Sequence, residues 1–413
     1  MIKKIKGFSD LYPPEIEKYS FIEKVAREIF PLYGFVEMRT PILERTELFA
    51  RSIGDETDVV QKEMFSFLDR KGRSLSLRPE ATAGVVRAYI ENKIYAKENI
   101  SKFFTIGPMF RYERPQKGRQ RQFHQVNVEV FGSSSPYIDG ELIVMLMDFF
   151  NKLNINGISL EINSLGCSRC RASYLANLKE FLGKIDEDLL CEDCKVRRMK
   201  NPLRVLDCKI DSCKKIYKHA PKIIDYLCSD CSSHFEQVLS LLKFENIQFK
   251  INKNLVRGLD YYQRTTFEVI AEGIGAQSAI AGGGRYDGLI KQLGGPDLPG
   301  IGFACGMERI TQLIEIQEQK TKAFYIATID KKGLDLGFEV GSILRNRGFE
   351  CVCSYEVKSV KAHLRAANKS GARYCIIIGE DELLKRKVTL KDLITGDQKE
   401  LSLESLEKIS LVH

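Results

Sequence analysis

The stretch that most constrains this chain runs from Phe103 to Gly132, FFTIGPMFRYERPQKGRQRQFHQVNVEVFG. It reads as strand, basic loop, strand. Phe103 to Ile106 is a short apolar run that Gly107 and Pro108 are expected to break. Phe123 to Phe131 alternates, with Val126, Val128 and Val130 on one face and Gln125, Asn127 and Glu129 on the other. Such a strand fits a sheet whose polar face lines a cavity rather than bulk solvent. Between the strands, Arg111, Arg114, Lys117, Arg119 and Arg121 fall within a dozen residues. So many cations repel one another unless phosphate or carboxylate sits among them. The loop is either a solvated hairpin tip or, given the ordered polar strand behind it, the holder of an anionic substrate over a sheet.

At 413 residues the chain is long enough for two or three domains with sizeable cores. It has no run of about eighteen apolar residues, so no membrane span is expected. The start, MIKKIKGFSDLYPPE, is basic but has no apolar segment behind it, so no secretory signal is expected. A net charge of +8 permits a polyanionic partner without requiring one. Twelve cysteines without a leader predict a reducing, cytoplasmic setting, where paired thiols favour metal or redox chemistry over structural disulfides.

In chain order, Ile16, Tyr19, Phe21, Ile22, Val25, Ile29 and Phe30 recur at helical steps within 13–33. Gly34 ends that helix, and Phe35 to Met38 reads as a strand. Ser74 to Arg78 alternates like a strand, and Pro79-Glu80-Ala81-Thr82 opens a helix reaching Tyr89. Glu80 and Thr82 there can cap the helix or bind an ammonium group. Further on come a helix over 140–153 and a strand over 158–162.

Residues 167–231 then hold eight of the cysteines: Cys167-x2-Cys170, Cys191-x2-Cys194, Cys208-x4-Cys213 and Cys228-x2-Cys231. Four such pairs could supply two four-thiolate zinc sites. Cys191, Cys194, Cys208 and Cys213 are close enough in sequence to share one, and the outer pairs could meet if the segment's ends lie together. Free reduced thiols are the alternative. The basic run KVRRMK (195–200) fits a phosphate contact or a solvated helix face.

Strands are expected over 247–251 and 265–271, with RGLDYYQR between them. A buried arginine needs an anion, so Arg257 pairs either with Asp260 or with substrate. Three glycines in GGGRYDGL (282–289) allow close backbone approach to a ligand. No GK[ST] follows them, so this is not a Walker A loop. Gly300, Gly302 and Gly306 also miss the dinucleotide spacing. Residues 310–321 turn polar, as a linker would. From Lys322 the pattern is strand 323–329, helix 333–347, strand 349–355, helix 357–370, strand 373–378, then shorter strands over 387–401 and a final helix. That alternation predicts a small α/β domain with a largely parallel sheet.

The 103–132 hairpin, LRPEATAG (77–84), RGLDYYQRTTFEV (257–269) and GGGRYDGL resemble the class II aminoacyl-tRNA synthetases, in the form found in histidyl-tRNA synthetases. The resemblance covers essentially the whole chain, and RGLDYY is its most specific piece. It implies a fold with an antiparallel-sheet catalytic core over 1–320, a helical insertion over 166–245 that contacts the acceptor arm of tRNA, and a small C-terminal α/β anticodon-binding domain over 321–413. It implies a homodimer built on the helix-strand-Pro unit near the N-terminus. It implies ATP with Mg²⁺, L-histidine and tRNA(His) as substrates and partners, joined through a histidyl-adenylate. Arg111 and Arg257 would act at the α-phosphate, Arg309 at the γ-phosphate, and Arg119 as a further phosphate contact. Glu80, Thr82 and Gln125 would hold the α-amino group. Glu129 and Tyr262 would hold the imidazole, with Tyr261 adjacent and Tyr286 closing the pocket. Many members lack the insertion cysteines, so zinc cannot be essential to the shared chemistry. Two other readings stay open: a histidine-sensing regulatory paralogue of ATP phosphoribosyltransferase, and a related synthetase for another amino acid. Arg257, Arg309 and the C-terminal domain argue against the first, and Glu129 with Tyr261-Tyr262 against the second.

Overall fold

The computed structural model describes residues 1–54, 57, 59–208, 210–256, 261–274, 278–315 and 324–409. The chain divides into two compact units, Met1–Glu315 and Ile316–His413, a few residues before the expected break at 320/321. Arg257 and Asp260 lie outside the described residues.

Unit 1 carries strands β1 (Val36–Glu37), β2 (Leu43–Arg45), β3 (Ser66–Leu68), β4 (Ser74–Leu77), β5 (Ser101–Phe110), β6 (Gln122–Phe131), β7 (Ile158–Ser164), β8 (Phe249–Ile251), β9 (Gln263–Ala271), β10 (Ala279–Arg285) and β11 (Gly300–Gly306). Eight of them form one sheet in the order β1-β5-β6-β11-β10-β9-β7-β8. All pairings are antiparallel except β1 with β5 and β7 with β8. β2, β4 and β3 make a separate small sheet.

The alternation in β6 divides the large sheet into two faces. Val126, Val128 and Val130 are buried in the main core, together with Tyr19, Ile22, Val25 and Phe30 from the N-terminal helical segment. That helix spans Glu15–Ile29, tightens into a 3-10 turn, and ends at Gly34 with φ +81°, where a left-handed residue is needed. Helix Pro136–Lys152 adds Leu142, Leu146 and Phe149 to the same core. Helix Ser229–Phe244, expected to belong to the insertion, also turns Phe235, Val238 and Leu242 into this core. Which surface this helix covers follows from tertiary packing.

β5 does not break at Gly107-Pro108. It runs through to Phe110, with Pro108 opposite His124. β1 pairs only with Phe103 and Phe104, so Pro108 lies where β5 has no ladder partner on its other side and its missing N–H costs nothing there. Its carbonyl accepts from Arg78 Nε at 2.9 Å.

Unit 2 contains β12 (Phe324–Thr328), β13 (Cys351–Cys353), β14 (Tyr374–Ile378), β15 (Lys387–Asp392) and β16 (Gln398–Ser402), in the order β13-β12-β14-β15-β16. β12, β13 and β14 pair in parallel and the last two pairings are antiparallel. Helices Leu334–Asn346 and Val360–Lys369 supply the crossovers. Among the described residues, no helix is long and apolar enough to cross a membrane.

One buried ion pair ties β10 to the helical layer. Arg285 donates from Nε to both Asp139 oxygens at 2.8 and 3.0 Å, from Nη1 to the Ser133 carbonyl at 2.9 Å and from Nη2 to the Ser135 carbonyl at 3.0 Å. Both side chains are fully buried. Burial pushes Asp139 up to about 6 against the pull of Arg285, so it remains ionised at neutral pH. Asp139→Ala should leave the buried guanidinium only Asp287, 3.2 Å from its Nη1 and partly exposed, as a carboxylate partner, and lower the unfolding free energy by up to about 3–5 kcal/mol. Urea unfolding of the variant measures this; a loss under about 1 kcal/mol would mean that the pair is not a structural anchor.

Candidate active site

The polar face of β6 forms the floor of a cleft of roughly 1070 Å³, open to solvent. Successive inward positions on a strand are two residues apart, and Gln125, Asn127 and Glu129 accordingly point into it. Glu80, Thr82, Arg111, Arg119, Tyr261, Tyr262, Tyr286 and Arg309 line the same cleft. Every predicted substrate residue therefore converges there except Arg257, which lies outside the described residues.

At one end of the cleft is a buried carboxyl cluster. Thr82 donates its hydroxyl to Glu129 Oε1 at 2.5 Å, and Tyr286 donates to Oε2. Gly302 stands directly across the ladder from Glu129. A Cβ at 302 would collide with the Glu129 carboxylate, so glycine is what lets that side chain lie over β11. Burial raises Glu129 to about 8; the Thr82 and Tyr286 hydroxyls pull it down, and nearby Glu80 pushes it further up. Tyr261 packs on Tyr262 with ring centroids 4.7 Å apart, and edge-on to Tyr286 at 5.5 Å.

Glu80 caps its helix, one of the two readings of its motif. Its oxygens accept the backbone N–H groups of Thr82 at 2.7 Å and Ala83 at 2.9 Å, at the start of helix Thr82–Glu91. It also lines the cleft, and burial raises its pKa. Gln125 Oε1 and Asn127 Nδ2 are buried without a hydrogen-bond partner among the described residues. Buried polar atoms are normally paired, so this floor is suited to a polar ligand.

The other end is cationic. Arg111 donates from Nε to the Pro79 carbonyl at 2.9 Å and lies over the Phe123 ring at 5.4 Å. Arg309, on the short helix Met307–Ile310 after β11, donates to the Gly118 and Ala279 carbonyls. Arg119 pairs with Glu113. Desolvation lowers the pKa of both Arg119 and Arg309, and repulsion from Arg111 adds to it in each case. Three guanidiniums gathered at this cost favour an anion between them. Of the remaining loop cations, Arg114 and Lys117 are exposed, and Arg121 stacks on Tyr112 at 3.8 Å.

Sequence reading missed Glu113, Glu268 and Glu308, which also line the cleft. Glu308 accepts from the His124 backbone N–H at 2.8 Å and lies 3.0 Å from its Nδ1, fixing the start of β6. Glu268 carried a signal, since it alternates with Phe267 and Val269 in β9. Glu113 and Glu308 carried none, because their places depend on how loops close.

A buried polar pocket beside a cation cluster, on an antiparallel sheet, fits the aminoacyl-tRNA synthetase class of enzyme. Comparison with known proteins agrees. The family model "Histidyl-tRNA synthetase" matches residues 7–181 and 197–310, and "Anticodon binding domain" matches 323–411. Histidine–tRNA ligases of Nitratidesulfovibrio vulgaris (strain DP4) and Oleidesulfovibrio alaskensis are each 53% identical to the chain. They match over 405 and 407 residues, 98% of this chain in both cases and 97% and 98% of theirs. The solved structure of apo S. aureus histidyl-tRNA synthetase superposes with a TM-score of 0.84 at 32% identity, covering 99% of each chain. The chain belongs to the histidyl-tRNA synthetase family.

The buried carboxyl makes stability depend on pH. Because Glu129 titrates near 8 when folded and near 4.5 when free, its favourable contribution is full below about pH 4.5 and is lost as pH rises through about 8. Glu129→Gln keeps the shape and stays neutral. In ligand-free protein its melting temperature relative to the parent should therefore climb between about pH 5 and pH 9. Thermal unfolding across that range decides it, and a pH-independent offset would show that this carboxyl does not titrate there.

Proposed function

We propose that the cleft of unit 1 performs both chemical steps of histidyl-tRNA synthesis with the residues described above. The chain is a histidine–tRNA ligase, an enzyme that uses ATP as a substrate. In the first step a histidine carboxylate oxygen attacks the α-phosphorus of ATP, the bond to the bridging oxygen breaks, and pyrophosphate leaves. In the second step a hydroxyl of the terminal adenosine of tRNA(His) attacks the acyl carbon and AMP departs. Such chemistry depends on in-line positioning and on cations where charge builds.

In this reading Arg111 holds the α-phosphate, and Arg257, by its place in the RGLDYY motif, bridges that phosphate and the histidine carboxylate. Arg309 clamps the γ-phosphate, and Arg119 leaves Glu113 to meet a phosphate oxygen. Glu80, Thr82 and Gln125 receive the α-amino group. Glu129 accepts from one imidazole nitrogen and Tyr262 supplies a hydroxyl to the other, with Tyr261 and Tyr286 as walls. A neutral imidazole offers one donor and one acceptor, and a pocket built for that pair leaves its own groups unpaired around other side chains. The observation that carries this reading is the adjacency of the Glu129–Thr82–Tyr286 cluster to three guanidiniums in one cleft.

Mg²⁺ would be held mainly by phosphate oxygens and water, as is usual for this ion. Among the described residues, no three carboxylates converge. The C-terminal unit would read the anticodon and the insertion would meet the acceptor arm, KVRRMK supplying phosphate contacts. A homodimer and a cytoplasmic setting complete the reading; exposed Val36 and Leu43 near the sheet edge suit a dimer contact. The bond-making and bond-breaking of these steps need no zinc. The regulatory-paralogue alternative is not favoured, since ligases match across both units.

Pyrophosphate exchange across a panel of amino acids tests this proposal. Exchange should depend on histidine alone, fall roughly 10²–10³-fold in Arg111→Ala and Arg309→Ala, and vanish in Arg257→Ala with the fold intact by circular dichroism. Normal exchange in Arg257→Ala would remove that residue from catalysis.

A further inference from the structure

The eight cysteines of residues 167–231 gather in two places in unit 1. Cys167, Cys170, Cys228 and Cys231 form one quartet, and Cys191, Cys194, Cys208 and Cys213 the other. Within each, all four sulfurs lie within 4.8 Å of one another. We propose that each quartet binds one zinc ion, and that the outer ion also positions the tyrosine loop of the histidine pocket. The second part rests on the reading of that pocket given above; the first does not.

The geometry matches one tetrahedral ion per quartet. Zinc–thiolate bonds of about 2.3 Å place ligand sulfurs about 3.8 Å apart. The separations are 3.6 Å for Cys167–Cys170, 3.9 Å for Cys167–Cys228 and 3.8 Å for Cys191–Cys208. Disulfides need roughly 2.05 Å, and all eight thiols are free. Three of the pairs are built alike. Cys167, Cys191 and Cys228 are the N-cap residues of helices Ser168–Gly183, Glu192–Lys200 and Ser229–Phe244, and the second cysteine lies in the first turn. None of these caps uses its side chain to bond the helix, which leaves the thiols for a ligand. Backbone N–H groups instead point at sulfur across the quartets: Cys228 to Cys170 at 3.1 Å and Cys191 to Cys213 at 3.3 Å. Donors of this kind stabilise thiolates around a metal. On binding, four thiols release four protons and leave a site of net charge −2. Arg169 Nη2 lies 3.9 Å from Cys228 Sγ, close enough to offset that charge.

The two ions would do different work. The inner quartet lies in the core of the insertion, where Cys194, Cys208 and Cys213 are buried with Leu190, Val205 and Tyr217. The helices there are short, such as Asp211–Tyr217, and small cores of this kind gain stability from a structural metal. The outer quartet closes the root of the insertion, joining the residues after β7 to the start of the last helix. Gly166 has φ +60°, and a Cβ there would press on Cys170. Its carbonyl accepts the Arg264 N–H at 2.9 Å, while Leu165 donates to the Arg264 carbonyl at 2.7 Å. One residue beyond Cys170, Arg171 donates to the Tyr262 carbonyl at 2.5 Å. The outer knot and the end of the tyrosine loop therefore share a short, directly bonded frame.

Metal analysis of the full chain, purified under reducing conditions without added metal, should find two zinc ions per chain. Cys167→Ser/Cys170→Ser and Cys191→Ser/Cys194→Ser should each retain one. Replacing zinc by Co²⁺ in the unaltered protein should give sulfur-to-cobalt charge transfer and the intense visible bands of a tetrahedral four-thiolate site, at two ions per chain, even if a variant fails to fold. Eight thiols titratable in native protein with no metal bound would overturn the proposal. A single zinc would overturn the two-site form, and iron would overturn the choice of ion. In pyrophosphate exchange the outer variant should raise the histidine KM roughly tenfold or more with a smaller change in kcat, and the inner variant should change neither. An unchanged KM in an outer variant that has lost its zinc would overturn the positioning role alone. Because zinc counting does not depend on the substrate, failure of the histidine reading would leave the metal result intact.

Discussion

Burial of the Glu129 carboxyl shapes much of what surrounds it. A carboxyl removed from water is tolerated only with donors aimed at it, and here Thr82 and Tyr286 provide them from segments far away in sequence. Gly302 must lack a side chain to leave it room. Tyr286 in turn follows Arg285, which the Asp139 pair anchors to the helical layer. The pocket is thus linked to the core by one chain of buried polar contacts, and that chain runs through the same β6 whose valines build the opposite face.

The cation end rests on a different balance. Arg111, Arg119 and Arg309 are drawn into a partly desolvated space, where Arg111 weakens the hold of the other two on charge and Arg119 that of Arg309. Carbonyls of Pro79, Gly118 and Ala279, the Glu113 carboxylate and the Phe123 ring hold them there. This preorganisation is what charge-stabilising catalysis requires, because donors already in place need no rearrangement as charge develops. The neutral-leaning carboxyl and the crowded guanidiniums therefore sit in one cleft for opposite electrostatic reasons.

The cysteine-rich insertion adds a second means of holding the pocket. Its root is bonded to the strand that follows the tyrosine pair, so rigidity at the root is passed to the loop without any insertion side chain needing to touch substrate.

Much of the fold was legible because periodicity records which face of an element is dry. The valine and Gln/Asn/Glu alternation of β6, the N-terminal helix closing at Gly34, and the α/β alternation of the second unit all follow from local spacing. The cysteine pairs were likewise visible as ligand-like spacings, and the motif resemblance supplied the pocket residues that local pattern left ambiguous. Tertiary structure alone decided that β5 continues through Pro108, since only the sheet's edge tells whether a missing N–H matters. It alone brought Thr82 to Glu129, and it decided that the ends of the cysteine-rich segment lie together, as the outer quartet required. These outcomes depend on how distant segments close on one another, and neither spacing nor propensity encodes a distance between residues that meet only when the core has formed.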